Sequence, residues 1–211
     1  MDRLIKNIIY TLCTLLLLIP HDAEAINVKG KEVLGIRLGG IATSGELKRI
    51  FGAGSELEIY FVEGLNSWLG VNISFSSHNL GYSNDMMKNI EFIGSKMDVK
   101  VNIYSATVGI TLFTNSHHRL NQALEAGGGL YAIVAILPLG FYEGRITDNQ
   151  AGLYCGTTTY YRIGKRIMLD ACFKYHHIFS GADLSHTIYF YTGNETTNIY
   201  QLTFGVTFFT D

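Results

Sequence analysis

Apolar and polar residues alternate strictly from 68 to 78. Leu69, Val71, Ile73 and Phe75 fall on one side, and Gly70, Asn72, Ser74 and Ser76 on the other. A period of two is the signature of a β-strand, whose successive side chains leave opposite faces. Seven further stretches carry the same alternation. The pattern predicts strands over 32–42, 55–62, 68–78, 97–113, 120–136, 151–161, 166–175 and 198–209. The apolar set is Leu34, Ile36 and Leu38 in the first, Leu57, Ile59 and Phe61 in the second, and Ile167, Leu169, Ala171 and Phe173 in the seventh. In the last it is Tyr200, Leu202, Phe204, Val206 and Phe208. In the fourth stretch the phase slips. Met97, Val99, Val101 and Ile103 lead, then Val108, Ile110 and Leu112, so a β-bulge near 105–107 is expected. Gly127, Gly128 and Gly129 are expected to let the fifth strand bend.

The polar side decides the setting. It is built largely of Gly, Ser, Asn and Thr, whereas a soluble sheet facing water carries Lys and Glu. Small polar side chains suit the inside of a narrow barrel whose apolar side meets lipid. The connections agree with an up-and-down meander. Three are short (63–67, 114–119, 162–165) and four are longer (43–54, 78–96, 137–150, 176–197). The expected fold is all-β, an eight-stranded antiparallel up-and-down transmembrane β-barrel over 26–211. Trp68, Phe113, Tyr161 and Phe208 would girdle the short-turn end, and Phe75, Phe173, Tyr175 and Tyr200 the loop end.

Residues 1–25 have the form of a secretory signal peptide. Arg3 and Lys6 precede an apolar run over 8–19 that is too short to span a bilayer, and Ala23-Glu24-Ala25 is a small-x-small cleavage site. Composition narrows the class further. Charged residues make up 16% of the chain, against about 25% in ordinary soluble domains. A formal net charge of −2 without a basic tract excludes a nucleic-acid partner. Outside the leader, Cys155 falls on the outward side of its strand and Cys172 on the inward side, so a disulfide between them is not expected.

The candidate chemistry lies on the inward side. Arg37, Lys100 and Lys174 are expected there against Glu56, Glu58, Asp98, Glu125 and Asp170, with His78 and His176 towards one end. An eight-stranded barrel is just wide enough for its own side chains to fill it, and buried charges persist only in pairs. The prediction is therefore a salt-bridge and hydrogen-bond network that plugs the lumen. The chain shows no phosphate-binding loop, CxxC or HExxH motif, so no cofactor is expected. His117-His118 and His176-His177 are adjacent residues, which point to opposite faces of a strand. Neither pair is a chelate, and no metal site is assigned, even with Asp183 and His186 nearby.

Ala126-Gly127-Gly128-Gly129-Leu130-Tyr131, the segment 173–179 (FKYHHIF) and the closing 202–209 (LTFGVTFF) give the chain a nameable likeness. It resembles the small outer-membrane β-barrel family that includes the transmembrane domain of outer membrane protein A and proteins X and W, over essentially all of 30–209. The resemblance implies the outer membrane of a double-membraned bacterium, with lipid and lipopolysaccharide around the barrel. It also implies insertion by the barrel-assembly machinery. That machinery is thought to read a terminal aromatic residue; here Thr210 and Asp211 follow Phe209. The implied role is non-enzymatic, structural or interactive, with loops 78–96 and 176–197 available to a surface ligand. A second reading is passage of small apolar molecules through a side opening, as suggested for protein W relatives. A third is a lipid A deacylase, whose family motif is a His-x-Ser pair on one strand. His177-Ile178-Phe179-Ser180 has one residue too many for that motif, and Gly181-Ala182 replaces its expected Asn-Ala. No catalytic residue is assigned. A soluble, lipocalin-like barrel, the fourth reading, would need the opposite distribution of polarity.

Overall fold

The computed structural model describes residues 29–44, 51–82, 100–114, 120–139, 142–164, 166–179 and 197–210. They form eight strands: β1 (Glu32–Ser44), β2 (Phe51–Gly64), β3 (Leu69–Tyr82), β4 (Lys100–Thr114), β5 (Leu120–Leu139), β6 (Tyr142–Arg162), β7 (Ile167–Ile178) and β8 (Thr197–Phe209). Each pairs antiparallel with its sequence neighbours, and β1 pairs with β8, closing the barrel. The expected leader, residues 1–25, lies outside the described residues.

Local chemistry sets the short-turn end. Asn66 Oδ1 accepts the backbone N–H groups of Trp68 and Leu69 at 2.9 and 2.8 Å, an Asx turn that reverses the chain into β3. Gly30, at φ 68°, donates its N–H to the Gly64 carbonyl at 2.9 Å and ties the entry of β1 to the end of β2.

The two faces differ as lipid and packed core differ. Leu38, Phe75, Leu130 and Phe204 stand outward with 60–67% of their surface exposed. Cys155 is exposed on the same side, whereas Cys172 is buried in the lumen; both are free thiols. Inside, Val33, Tyr60, Val62, Phe113, Ala123, Tyr160 and Met168 pack into an apolar layer at the short-turn end, with Phe209 against it. Phe113, expected in the outer girdle, belongs to this layer; Trp68, Tyr161 and Phe208 do stand outward.

At the loop end the inward positions of β1, β3, β4, β5, β7 and β8 turn apolar again, as Ile41, Leu80, Val101, Ile103, Ile133, Ile178 and Ile199, all buried. The outer surface at this height becomes polar, with Asn79, Lys100, Thr147 and Asn149 exposed. This inversion corrects the reading of β4. No bulge interrupts its pairing with β3 or β5. The strand keeps one phase throughout, so Val101 and Ile103 point in and Lys100 and Tyr104 point out.

The segment 137–150 is not a loop. Leu139 pairs with Tyr142, and β5 and β6 continue as a hairpin of 20 and 21 residues, against 12–15 for the other strands. The excess amounts to roughly 20 Å of strand path beyond their neighbours. β3 likewise extends through Tyr82 and β7 through Ile178, so the ends of the expected loops 78–96 and 176–197 are strand. Val134 is buried, as is Ile133 beside it, so both faces of β5 are covered at that level.

Candidate functional site

Between the two apolar layers lies a belt of charge. Arg37 on β1 and Glu58 on β2 are direct cross-strand partners, and the guanidinium Nη1 donates to Glu58 Oε2 at 3.1 Å. Its Nε donates to Asp170 Oδ1 at 2.6 Å, and Nη2 reaches Thr158 Oγ1 at 3.3 Å and Glu125 Oε1 at 3.7 Å. The Tyr60 ring lies 3.7 Å from the guanidinium carbon, so one face of the cation is covered by an aromatic quadrupole. Lys174 on β7 bridges Glu58 and Glu125, with 3.2 Å to Glu125 Oε2. Thr158 donates to Glu125 at 2.7 Å and Thr207 to Asp170 at 2.6 Å, filling lone pairs that the cations leave. Arg37, Glu58 and Lys174 are all fully buried.

Backbone choice makes this possible. Gly205 lies in register between Arg37 and Asp170. A Cβ there would stand 2.6 Å from Arg37 Cγ and 3.1 Å from Asp170 Oδ2. Gly156 lies between Glu125 and Lys174 in the same way, and a Cβ there would be 2.7 Å from Lys174 Cγ. The ion pairs therefore close across an intervening strand over a glycine.

Above the belt the lumen becomes a hydrogen-bonded layer of neutral groups. Gln201 Nε2 donates to Glu58 Oε2 at 3.3 Å. Its oxygen then accepts from His176 Nε2 at 2.8 Å, and His176 Nδ1 accepts from the Tyr131 hydroxyl at 2.8 Å. The run of hydrogen bonds is unbroken from Tyr131 through His176 and Gln201 to the charged belt. Tyr154 spans the lumen to Asn72 Oδ1 at 2.5 Å, and Asn72 donates to Thr111 at 2.7 Å. Gly109 and Gly127, paired in register, make room for the Tyr154 ring. That is a packing role beyond the bend expected of the glycine run.

The predicted residues divide as follows. Arg37, Glu58, Glu125, Asp170 and Lys174 meet in the central network. Glu56 and His78 are buried together higher up, 3.6 Å apart. Lys100 is exposed on the outer surface and takes no part, for the reason of phase given above. Asp98, His117, His118, Ser180, Asp183 and His186 lie outside the described residues. Among the described residues no three His, Cys, Asp or Glu side chains converge as a metal site. His177 is turned outward and bonded to Asn198 Oδ1 at 2.8 Å, which also accepts from the Tyr175 hydroxyl at 2.8 Å. Tyr154 and Tyr160 are lumen residues that the alternation left unnamed; their inward parity in β6 was the available signal.

No family model and no curated protein matches the chain. Solved structures do. The chain is similar to Neisserial surface protein A (16% identity, TM-score 0.57), covering 85% of this chain and 97% of that one. It is also similar to Ail, the attachment invasion locus protein of Yersinia pestis (13% identity, TM-score 0.54; 86% and 99% covered). A third likeness is to a major outer membrane protein from Thermus thermophilus (12% identity, TM-score 0.61; 85% and 99% covered). The shared feature is the fold: an eight-stranded barrel of the outer-membrane kind, spanned along nearly the full length of each relative.

Proposed function

We propose that this chain is a non-enzymatic barrel of the bacterial outer membrane, delivered there with a cleaved leader, and that it acts as an envelope and surface-contact element. The observation that carries the reading is the layered lumen. Apolar side chains occupy both ends, and a network in which Arg37 and Lys174 are held by Glu58, Glu125 and Asp170 occupies the middle. Moving a solute along that axis would break buried ion pairs, at a cost of several kcal/mol each. The wall is paired around its whole circumference, so a lateral portal has no gap in the ladder to use among the described strands. Function is left to the outer surface. There the β5–β6 hairpin overtops its neighbours, and the loops within 78–96 and 176–197 would add contacts. The surface and attachment names borne by two of the similar proteins accord with such a role, as does a surrounding of lipid and lipopolysaccharide.

Cell fractionation with gel electrophoresis before and after boiling tests residence and folding together. The chain is expected in the outer-membrane fraction, with mobility that changes on heating. In planar bilayers the folded protein is expected to show no sustained conductance. A stable, long-lived open level would sink the plugged-lumen reading.

A further inference from the structure

The outer wall of β7 and β8 carries a polar cluster towards the loop end. His177 and Asn198 are direct cross-strand partners, and Tyr175 and Tyr200 form the outward pair beneath them. Asn198 Oδ1 accepts from both the Tyr175 hydroxyl and His177 Nδ1, each at 2.8 Å. An amide whose oxygen takes two bonds has a fixed orientation, and its two N–H donors are left over. His177 Nδ1 is the donor in its bond, so Nε2 is the ring atom left over. Among the described residues, Asn198 Nδ2, His177 Nε2 and the Tyr200 hydroxyl have no further hydrogen-bond partner. All three side chains are partly exposed. Aromatic rings frame them. Tyr175 and Tyr200 have their centroids 5.3 Å apart, and Phe179 stands edge-on to His177 at 5.2 Å.

Depth says what this cluster meets. Ten residues along β7 separate Ile167, outward at the short-turn rim, from His177. At about 3.3 Å per residue and a tilt of about 40°, that is roughly 25 Å of height. The apolar band of an outer-membrane barrel is about 25 Å tall. His177 and Asn198 therefore stand where hydrocarbon gives way to headgroups. Phe173 and Leu202, paired one row below the tyrosines, are exposed within the band. Charge then selects among headgroups. The outward positions of β7 and β8 carry no lysine or arginine, so a phosphate has no cation to meet there. The open atoms instead mix donors and acceptors beside aromatic faces. Sugar hydroxyls both donate and accept, and the C–H face of a sugar packs on an aromatic ring.

We infer that His177, Asn198 and Tyr200 bind the sugar headgroup of an outer-leaflet glycolipid, whose acyl chain lies along Phe173 and Leu202. The inference rests on the outer-membrane reading above. The Asn198 amide donates to ring hydroxyls, His177 Nε2 and the Tyr200 hydroxyl complete the polar set, and the Tyr200 ring takes the sugar's C–H face. Tyr175 acts through Asn198, by holding its amide in place.

The full chain, refolded in the sugar-free detergent lauryldimethylamine oxide, is titrated with glucosyl diacylglycerol or with phosphatidylglycerol of the same acyl chains. Native mass spectrometry is expected to show one glucosyl lipid held at least tenfold more tightly than the phosphate lipid. Methyl glucoside, which has no acyl chain, is expected not to displace it at equal concentration. Asn198→Ala weakens binding about tenfold, the loss of one or two hydrogen bonds, and Tyr200→Leu about fivefold. Asn79→Ala, on the outward face of β3, changes nothing. The shift in gel mobility on heating confirms that each variant is folded. Equal retention of the two lipids would mean a general lipid coat and would overturn the site. Preference for the phosphate lipid, ready displacement by methyl glucoside, or an Asn198→Ala variant that binds like the parent would overturn it too. Cell fractionation reads residence separately. A barrel absent from the outer membrane sinks the setting, whereas one present there but indifferent to the sugar sinks the site alone.

Discussion

Arg37→Met lowers the unfolding free energy of the barrel by about 3–5 kcal/mol. The side chain it removes is fully buried and touches Glu58, Asp170, Glu125 and the Tyr60 ring. Glu58 and Glu125 would be left with Lys174 as their one cation, and Asp170 with only hydroxyl donors, Thr207 and Tyr60. Most of the loss is the cost of stranding anions in a poorly solvated interior; breaking attractive contacts is the smaller part. The loss can therefore be largely recovered. Adding Asp170→Asn and Glu58→Gln to Arg37→Met removes the stranded charge, and much of the stability should return. Urea unfolding in lipid vesicles, followed by the fluorescence of Trp68, the single tryptophan, measures both. If the single variant were as stable as the parent, or the triple variant less stable than the single, the network would not be the structural filling described.

Leu38→Arg is the second large effect. The residue is outward and 62% exposed, so in a barrel surrounded by water an arginine there would be nearly harmless. In a bilayer a lipid-facing arginine near mid-depth costs about 2–4 kcal/mol, and one near the interface about 0–1. Asn79→Arg, on the outward face of β3 at the polar loop end, is the interfacial comparison. The expected ratio of effects, large at Leu38 and slight at Asn79, comes from depth alone. Equal effects at the two positions would mean that hydrocarbon does not surround this wall.

The strand count, the closure and the sense of the faces were legible from alternation alone in β1, β2, β3, β7 and β8. There, at mid-height, outward apolar residues alternate with lumen-facing residues that are mostly small or charged. Arg37 and Glu58 could be assigned inward because a charge on a membrane-facing row has no stable alternative. What alternation could not show is that polarity inverts with height. At the loop end the lumen is apolar and the exterior polar, so Val101 and Ile103 carry the pattern of a lipid-facing row while pointing in, and Lys100 carries that of a lumen residue while pointing out. A change in the sense of alternation was read as a bulge when it marked the edge of the hydrocarbon. Phe113 misled at the opposite rim for the same reason. The segment 137–150 carries Pro138, Gly140, Gly144 and several polar residues, a composition that reads as loop. Its pairing is long-range information: Leu139 finds Tyr142 only because β5 and β6 are already zipped below. The tie of Glu125 to Lys174 across Gly156 was likewise invisible, since it depends on which strands flank β6.

The two free thiols among the described residues have a practical consequence. Cys155 opens onto the greasy exterior, while Cys172 is walled in beside the ionic filling. An oil-soluble alkylating agent can find the first in the native protein, and only a melted barrel surrenders the second. The chain thus carries its own pair of depth gauges, one reading immersion and the other reading intactness, with no label added.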